Sequence, residues 1–266
     1  MKLISLLKKN NFIFFILKNI QRLLKNVLKK IFIFSGLDDR LSTIENSLVY
    51  NYLPENFNWE KYCLNGQEFR RKIVTEVLKN NKFRLIVETG TEYGFTTKFF
   101  SDFSSKVISI EKSKPMFTIA KKNLQNEENI QLILNDSKNL KSIIDNENTK
   151  IDKNESTFFY LDAHSDDDYP LIEEIKYILE EFSNSIILID DFHVPHDNGY
   201  GFDSYRGKKL NLEFIKDLFS KNENVFFPNI PSFKETGRLR GYIIITNNTK
   251  FNNFLNNITE LSSHKF

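Results

Sequence analysis

Two hydrophobic rhythms divide the chain. Between residues 3 and 34, apolar side chains return every three or four positions, at Ile13, Ile16, Leu17, Ile20, Leu23, Leu24, Val27, Leu28 and Ile31. That is the spacing of one helix face. From about residue 67 the rhythm changes to short continuous apolar runs separated by helical stretches. The runs 84–88, 106–111, 129–134, 156–162 and 185–190 predict five buried strands, and 225–227 with 241–246 predict a closing strand pair. Helices are predicted over 67–80, 96–103, 114–125, 170–182 and 210–219. Strands without polar alternation that alternate with helices belong to a mainly parallel sheet covered on both faces. The fold expected is therefore α/β. It is a Rossmann-like, doubly wound, seven-stranded sheet with a closing antiparallel strand, preceded by an N-terminal amphipathic helix. The organisation expected is an arm over 1–34, a connector over 35–64 and one domain over 65–266.

Charge changes the picture at the amino terminus. Lys2, Lys8, Lys9, Lys18, Arg22, Lys25, Lys29 and Lys30 precede the first acid, Asp38, and the remainder of the chain is net acidic. A basic arm on an acidic body argues against nucleic acid as a partner. The longest apolar run in the arm, 12–17, is far short of the ~20 residues of a spanning helix. Its lysines also do not fit a cleaved signal peptide. Two readings stay open for it: peripheral contact with an anionic membrane surface, or packing on the body or on a second copy in a homo-oligomer. The single cysteine, Cys63, excludes an intrachain disulfide and suits a reducing, cytoplasmic setting, at the inner face of the membrane if the arm binds lipid.

The chemistry gathers at strand ends. Glu88, Glu111, Asp162 and Asp190 end four of the predicted strands, and Asp136 closely follows the third. Ligands of such sheets bind beyond these ends. One acid there is explained by helix capping; five along one edge point to a site. After Glu88 comes Thr-Gly-Thr-Glu-Tyr-Gly, in which Gly90 allows a tight turn and Gly94 relieves crowding where a helix starts. Glu111, about twenty residues on, is placed to accept ribose hydroxyls. Asp136 is placed to accept from an adenine amino group.

The Glu88–Gly94 loop, Glu111, the Asn135-Asp136-Ser137 step and the Leu161-Asp162-Ala163-His164 turn resemble the class I S-adenosylmethionine (SAM) dependent methyltransferases over roughly residues 65–246. The resemblance implies SAM as cofactor. Gly90 and Thr91, with Glu88 and Gly94 in the same loop, would hold its methionine part, Glu111 its ribose, and Asp136 with Ser137 its adenine, while Asp162 would line the site. Glu92 stands where the commoner family loop has a third glycine. A nicotinamide dinucleotide is the competing cofactor. Its pyrophosphate needs a helix amino end free of negative charge, whereas the sulfonium and ammonium of SAM suit Glu88 and Glu92.

The strand-four turn continues through Asp166, Asp167 and Asp168, and the fifth strand runs into Asp190-Asp191-Phe-His193. Three carboxylates suit a hard cation such as Mg2+. This arrangement resembles the metal-dependent macrocin-type sugar O-methyltransferases. The likeness implies Asp162, Asp190 and Asp191 as Mg2+ ligands and His164 as catalytic base with Asp162, where that family usually has an Asp. His193 and His196 are the competing bases. The polar stretch 190–208 carries Tyr200, Tyr205 and Arg206, and 228–240 carries Arg238 and Arg240; they are candidates for an acceptor wall. Asn65-Gly66-Gln67 with Arg70 and Arg71 is similar to bacterial methyltransferase-like proteins of unassigned substrate. These arginines suit an anionic group on the acceptor or pair with the acidic mouth. The activity expected is O-methylation of a saccharide or other small hydroxylated molecule, as in polysaccharide biosynthesis. The alternatives are an oxidoreductase or hydroxylase on the same sheet and a non-catalytic, membrane-anchored interaction module.

Overall fold

A computed structural model describes residues 58–146, 149, 151–163, 170–205, 207–219 and 223–264. The arm, the connector as far as residue 57, His164 and Arg206 lie outside the described residues. Five strands, β1 (Leu85–Thr89), β2 (Lys106–Glu111), β3 (Ile130–Leu134), β4 (Thr157–Leu161) and β5 (Ser185–Asp190), run parallel. Every residue of β1, β4 and β5 is buried, which is why these runs read as unbroken apolar segments. Val87 faces Ile108 on one side and Phe159 on the other. A two-stranded ribbon, β6 (Ser204–Tyr205) and β7 (Lys208–Lys209), stands apart from this sheet. The sheet is completed by β8 (Asn224–Pro228), β9 (Tyr242–Thr246) and β10 (Leu261–His264), in the order β10-β8-β9-β5-β4-β1-β2-β3. β9 is antiparallel to β5 and to β8, and β10 is antiparallel to β8.

The Rossmann-like fold expected from the sequence is thus present, with eight strands in the main sheet rather than seven. The added strand is β10. Its sequence, Leu-Ser-Ser-His, has one buried residue and two exposed ones. At a sheet edge a strand needs only its backbone hydrogen bonds, so it carries almost no hydrophobic signal.

Helices cover both faces. They are α1 (Glu68–Asn81), α2 (Phe95–Ser101), α3 (Lys114–Asn123), α4 (Leu140–Ile144), α5 (Leu171–Glu181), α6 (Leu212–Ile215) and α7 (Thr249–Leu255). Alternate strand residues point to opposite faces. Leu85, Val87, Ile108, Ile110, Phe159 and Leu161 pack with Leu140 and Ile144 of α4 and Ile175 and Ile178 of α5. The other face is aromatic. Phe83 lies 5.6 Å from Phe158 and 5.4 Å from Phe251, and Phe100 lies 5.8 Å from Phe158 and 5.4 Å from Tyr160. The helix expected over 210–219 is shorter, with α6 passing into a 3-10 turn at Lys216–Leu218.

The amino end of α1 is finished from far away in the chain. Gln67 makes no side-chain cap. The Glu235 carboxylate instead accepts from the backbone N–H groups of Phe69 and Arg70, each at 3.1 Å, and the Thr236 hydroxyl accepts from Glu68 N–H at 2.9 Å. These are among the donors that every helix start leaves unsatisfied. The same loop interlocks with the turn before α1: Arg238 N–H donates to the Asn65 carbonyl at 3.0 Å. Gly237, at φ +71°, permits this approach, since a Cβ there would sit 2.3 Å from that carbonyl oxygen. No described helix is long and apolar enough to cross a membrane.

Candidate active site

After β1 the chain crosses to β2 on one side, and after β4 it crosses to β5 on the other. The diverging connections open a crevice at the carboxyl ends of β1 and β4. Asp162 N–H donates to the Thr89 carbonyl and Gly90 N–H to the Ile110 carbonyl, both at 2.9 Å, so three strand ends are tied at this point. A Cβ on Gly90 would lie 2.4 Å from the Asp162 carbonyl oxygen, and φ is +90°. Only glycine fits both demands.

The sequence-predicted acids on the β1–β3 side come together, each with a different partner set. Glu88 is fully buried. One of its oxygens accepts from the Thr97 hydroxyl and, at 2.5 Å, from the Ser109 hydroxyl. Thr91 and Ser109 share a further hydroxyl hydrogen bond of 2.6 Å. Burial pushes Glu88 up to about 7, against the pull of the two hydroxyls. It braces the loop from inside through one oxygen, and the other oxygen has no hydrogen-bond partner among the described residues. Glu111 is almost fully buried, and both carboxylate oxygens accept backbone N–H groups, from Glu92 at 2.9 Å and Ser113 at 2.6 Å. Burial raises its pKa while the backbone donors lower it. A carboxylate has about four acceptor sites, so Glu111 keeps acceptor capacity beyond its backbone donors. Glu92 adopts φ 50°, the left-handed conformation that costs a side chain about 1–2 kcal/mol. The hydrogen bond it gives Glu111 offsets that cost, and the loop closes without the third glycine.

Asp136 caps the turn Ser137–Asn139 through Lys138 N–H at 3.1 Å and pairs with Lys112 at 2.7 Å and Lys138 at 3.4 Å. Burial opposes its ionisation, and the two lysines with the backbone bond outweigh it, holding the carboxyl below the usual range. Ser137 is buried, and Gly94 precedes α2. Sequence reasoning missed Glu174, on α5. It is 1% exposed, and burial pushes it up to about 8 while the Ser137 and Thr89 hydroxyls pull the other way. One of two adjacent glutamates on an amphipathic helix, it gives no sequence signal.

On the β4–β5 side, Asp162 is partly buried, and among the described residues no donor or cation is bonded to its carboxylate. Burial raises its pKa, with the Asp190 and Asp191 charges adding to the effect. Asp190 is fully enclosed. Arg70 Nη2 lies 2.6 Å from Oδ1, which also accepts Asp191 N–H at 2.6 Å; Oδ2 accepts Asn65 Nδ2 at 2.9 Å and the Tyr160 hydroxyl at 2.5 Å. Burial works against ionising Asp190, and Arg70 with Tyr160 outweighs it, so its pKa is lowered. Asp191, at φ 55°, pairs with Arg240, whose guanidinium also binds Asp203. Burial and the Asp190 charge push Asp191 up to about 7, against the pull of Arg240.

The Mg2+ ligand set expected from the sequence does not fit these residues. Asp190 accepts three protein hydrogen bonds and is ion-paired with Arg70, and Asp191 faces a guanidinium. Among the described residues no group of three or more His, Cys, Asp and Glu side chains is arranged to hold a metal ion. The second role foreseen for Arg70, pairing within the acidic mouth, is the one it takes; Arg71 instead donates to the Glu60 carbonyl at 2.6 Å.

The residues expected for an acceptor wall take different places. Tyr200 is 2% exposed and its hydroxyl donates to the Ile230 carbonyl at 2.8 Å, which makes it a buried strut. Tyr205 is mostly buried and donates to Asp203 at 3.0 Å. Arg238 is exposed, whereas Arg206, like His164, lies outside the described residues. Of the competing bases, His196 bonds the Pro228 carbonyl at 3.0 Å, and His193 packs edge-on against Phe202. Burial first, and then the Lys209 charge, lower the pKa of His193.

No family model and no curated protein matches the sequence. Solved structures do. The O-methyltransferase from Bacillus cereus in complex with S-adenosylhomocysteine (SAH) is 16% identical with a TM-score of 0.50, over 84% of this chain and 96% of that one. The O-methyltransferase TomG from Streptomyces achromogenes is 12% identical with a TM-score of 0.49, over 66% and 78%. An rRNA methylase from Streptococcus thermophilus is 15% identical with a TM-score of 0.43, over 65% and 92%. The likeness is one of fold.

Proposed function

We propose that this chain is a SAM-dependent methyltransferase, acting on the hydroxyl of a saccharide or another small hydroxylated acceptor. The observation that carries the reading is the charge at the crevice. Glu111 ends β2 and Asp162 follows β4, on either side of β1, with no bonded cation among the described residues, and burial raises the pKa of both. A cationic ligand relieves that condition and a pyrophosphate worsens it. The residues present fit SAM: Gly90 and Thr91 line the loop for its methionine part, Glu111 has acceptor sites left for ribose, and Asp136 with Ser137 stands at the end of β3 for adenine.

When bound, SAM supplies an electrophilic methyl group on a sulfonium. The protein's part is alignment and proton removal. Holding the acceptor oxygen in line with the methyl carbon supplies much of the acceleration. The acceptor hydroxyl would give its proton to the Asp162 carboxylate or the His164 imidazole, while its oxygen would take the methyl group from SAM held by Gly90, Thr91 and Glu111, leaving SAH. Asp162 has a raised pKa suited to this work, and His164 keeps the role of base that the sequence gives it. No step is routed through a metal. The basic arm over 1–34 would bring the domain to an anionic membrane surface, where lipid-linked acceptors are found.

Calorimetric titration of the full chain with SAH tests the reading. Micromolar-range binding, about −8 kcal/mol, that weakens by roughly ten- to hundredfold in Glu111→Ala supports it. Absence of heat from folded protein overturns it, and binding of a nicotinamide dinucleotide instead would make the chain an oxidoreductase.

A further inference from the structure

The Asp190–Asp191 pair is the feature that made a divalent cation plausible from sequence, and it is where the structure puts two arginines. Asp190 Oδ1 takes Arg70 Nη2 and the Asp191 N–H, both at 2.6 Å, and Oδ2 takes Asn65 Nδ2 at 2.9 Å and the Tyr160 hydroxyl at 2.5 Å. Arg70 is itself completely buried, with its guanidinium 4.8 Å from the Tyr242 ring centre and 5.9 Å from that of Tyr160. A cation so enclosed cannot be displaced without exposing it or burying it unpaired. Arg240 joins Asp191 to Asp203, and its own N–H is fixed by Gln67 Oε1 at 2.8 Å. The two guanidiniums thus meet three carboxylates at the end of β5 and in the loop that follows.

We propose that Arg70 and Arg240 are the resident cations of this centre, built into the chain where a divalent ion would otherwise sit, and that the site works without a metal. Mg2+ demands near-octahedral oxygen ligands at about 2.1 Å and gives up its water reluctantly. Here the oxygens are occupied, and an entering ion would face two fixed positive charges. Arg70 and Arg240 act as positioning residues. They hold Asp190 and Asp191 in one geometry and tie the 191–210 loop to the strand end, leaving Asp162 as the open acid of the crevice. A covalently attached cation also keeps its place whatever the ion concentration around it.

The test uses the full chain in two arms. In the first, Mn2+ uptake is followed by electron paramagnetic resonance in the unaltered protein and in Asp191→Asn. Equal uptake by the two is expected, any binding being elsewhere on the acidic surface. Uptake by the unaltered protein that exceeds the variant by one ion per chain overturns the proposal. In the second arm, which needs no variant and rests on the methyltransferase reading, SAH is titrated with a chelator and again with Mg2+. An affinity the same within about twofold is expected, and a tenfold or greater loss with chelator overturns the proposal. Absence of SAH binding under both conditions speaks against the cofactor reading, while the Mn2+ arm still decides the cation question.

Discussion

The two halves of the crevice treat buried carboxylates differently. On the β1–β2 side, Glu88 and Glu111 are held by neutral donors: hydroxyls for one, backbone N–H groups for the other. On the β5 side, Asp190 and Asp191 are held by guanidiniums. Neutral donors fix where a carboxylate points but leave most of its charge uncompensated. A guanidinium fixes the direction and cancels the charge. One half is thereby left with a demand for positive charge, and the other has met that demand internally. On the proposed reading a cationic ligand belongs to the first half, and the two arginines take the place of a metal ion in the second.

The comparison breaks most visibly at Arg70. Arg70→Met leaves Asp190 buried and unpaired, and a loss of about 3–5 kcal/mol is expected in chemical denaturation. Arg70→Met combined with Asp190→Asn should recover much of it, because the pair is removed together. If the single variant cost no more than an exposed ion pair, the guanidinium would not be the partner that matters.

Glu88 tests the other half. Its pKa is raised from 4.5 to about 7 in the folded protein. The folded state therefore keeps a proton that the unfolded state has lost, and stability falls as pH rises from about 4.5 through 7. The magnitude is on the order of 3 kcal/mol. Glu88→Gln should flatten that slope in melts across this range, while Glu174 contributes its own fall up to about 8.

Glu111 sharpens the division further. Glu111→Ala removes a charged acceptor and leaves the Glu92 and Ser113 N–H groups without one, so SAH affinity should drop by about 1.5–3 kcal/mol, read by calorimetry. Asp136 lies between the two regimes, since it is paired with lysines that are largely exposed. Asp136→Asn should change stability by under about 1 kcal/mol, and the effect should shrink with added salt.

The framework of the molecule was readable because strand burial writes itself into sequence. The runs 106–111 and 185–190 coincide with β2 and β5, and the acids at strand ends fall at the crevice edge. What escaped had no local signature. α4 and α7, at 5 and 7 residues, are too short for a helical period to show. The glycine loop was legible, but its closure through Glu92 depends on a bond to a different strand. Arg70 could be noticed yet not assigned, because its partner Asp190 is brought near only by the folded sheet. The surroundings of the expected metal ligands were hidden for that same reason: the pattern Asp-Asp names a pair of carboxylates, and only the packing places Arg70 and Arg240 against them. Tyr200 looked like a polar loop aromatic because nothing near it in sequence announces the Ile230 carbonyl that it meets.

The carboxylate that caps α1 lies 165 residues further along the chain. A ribosome therefore releases Glu68 and its neighbours long before it makes the group that completes their helix. An isolated helix of 14 residues is marginal in water. During synthesis α1 must lean on β1 and the strands beside it while its first turn stays open to solvent. The first turn of α1 therefore gains its capping carboxylate only after the 235–240 loop has been made.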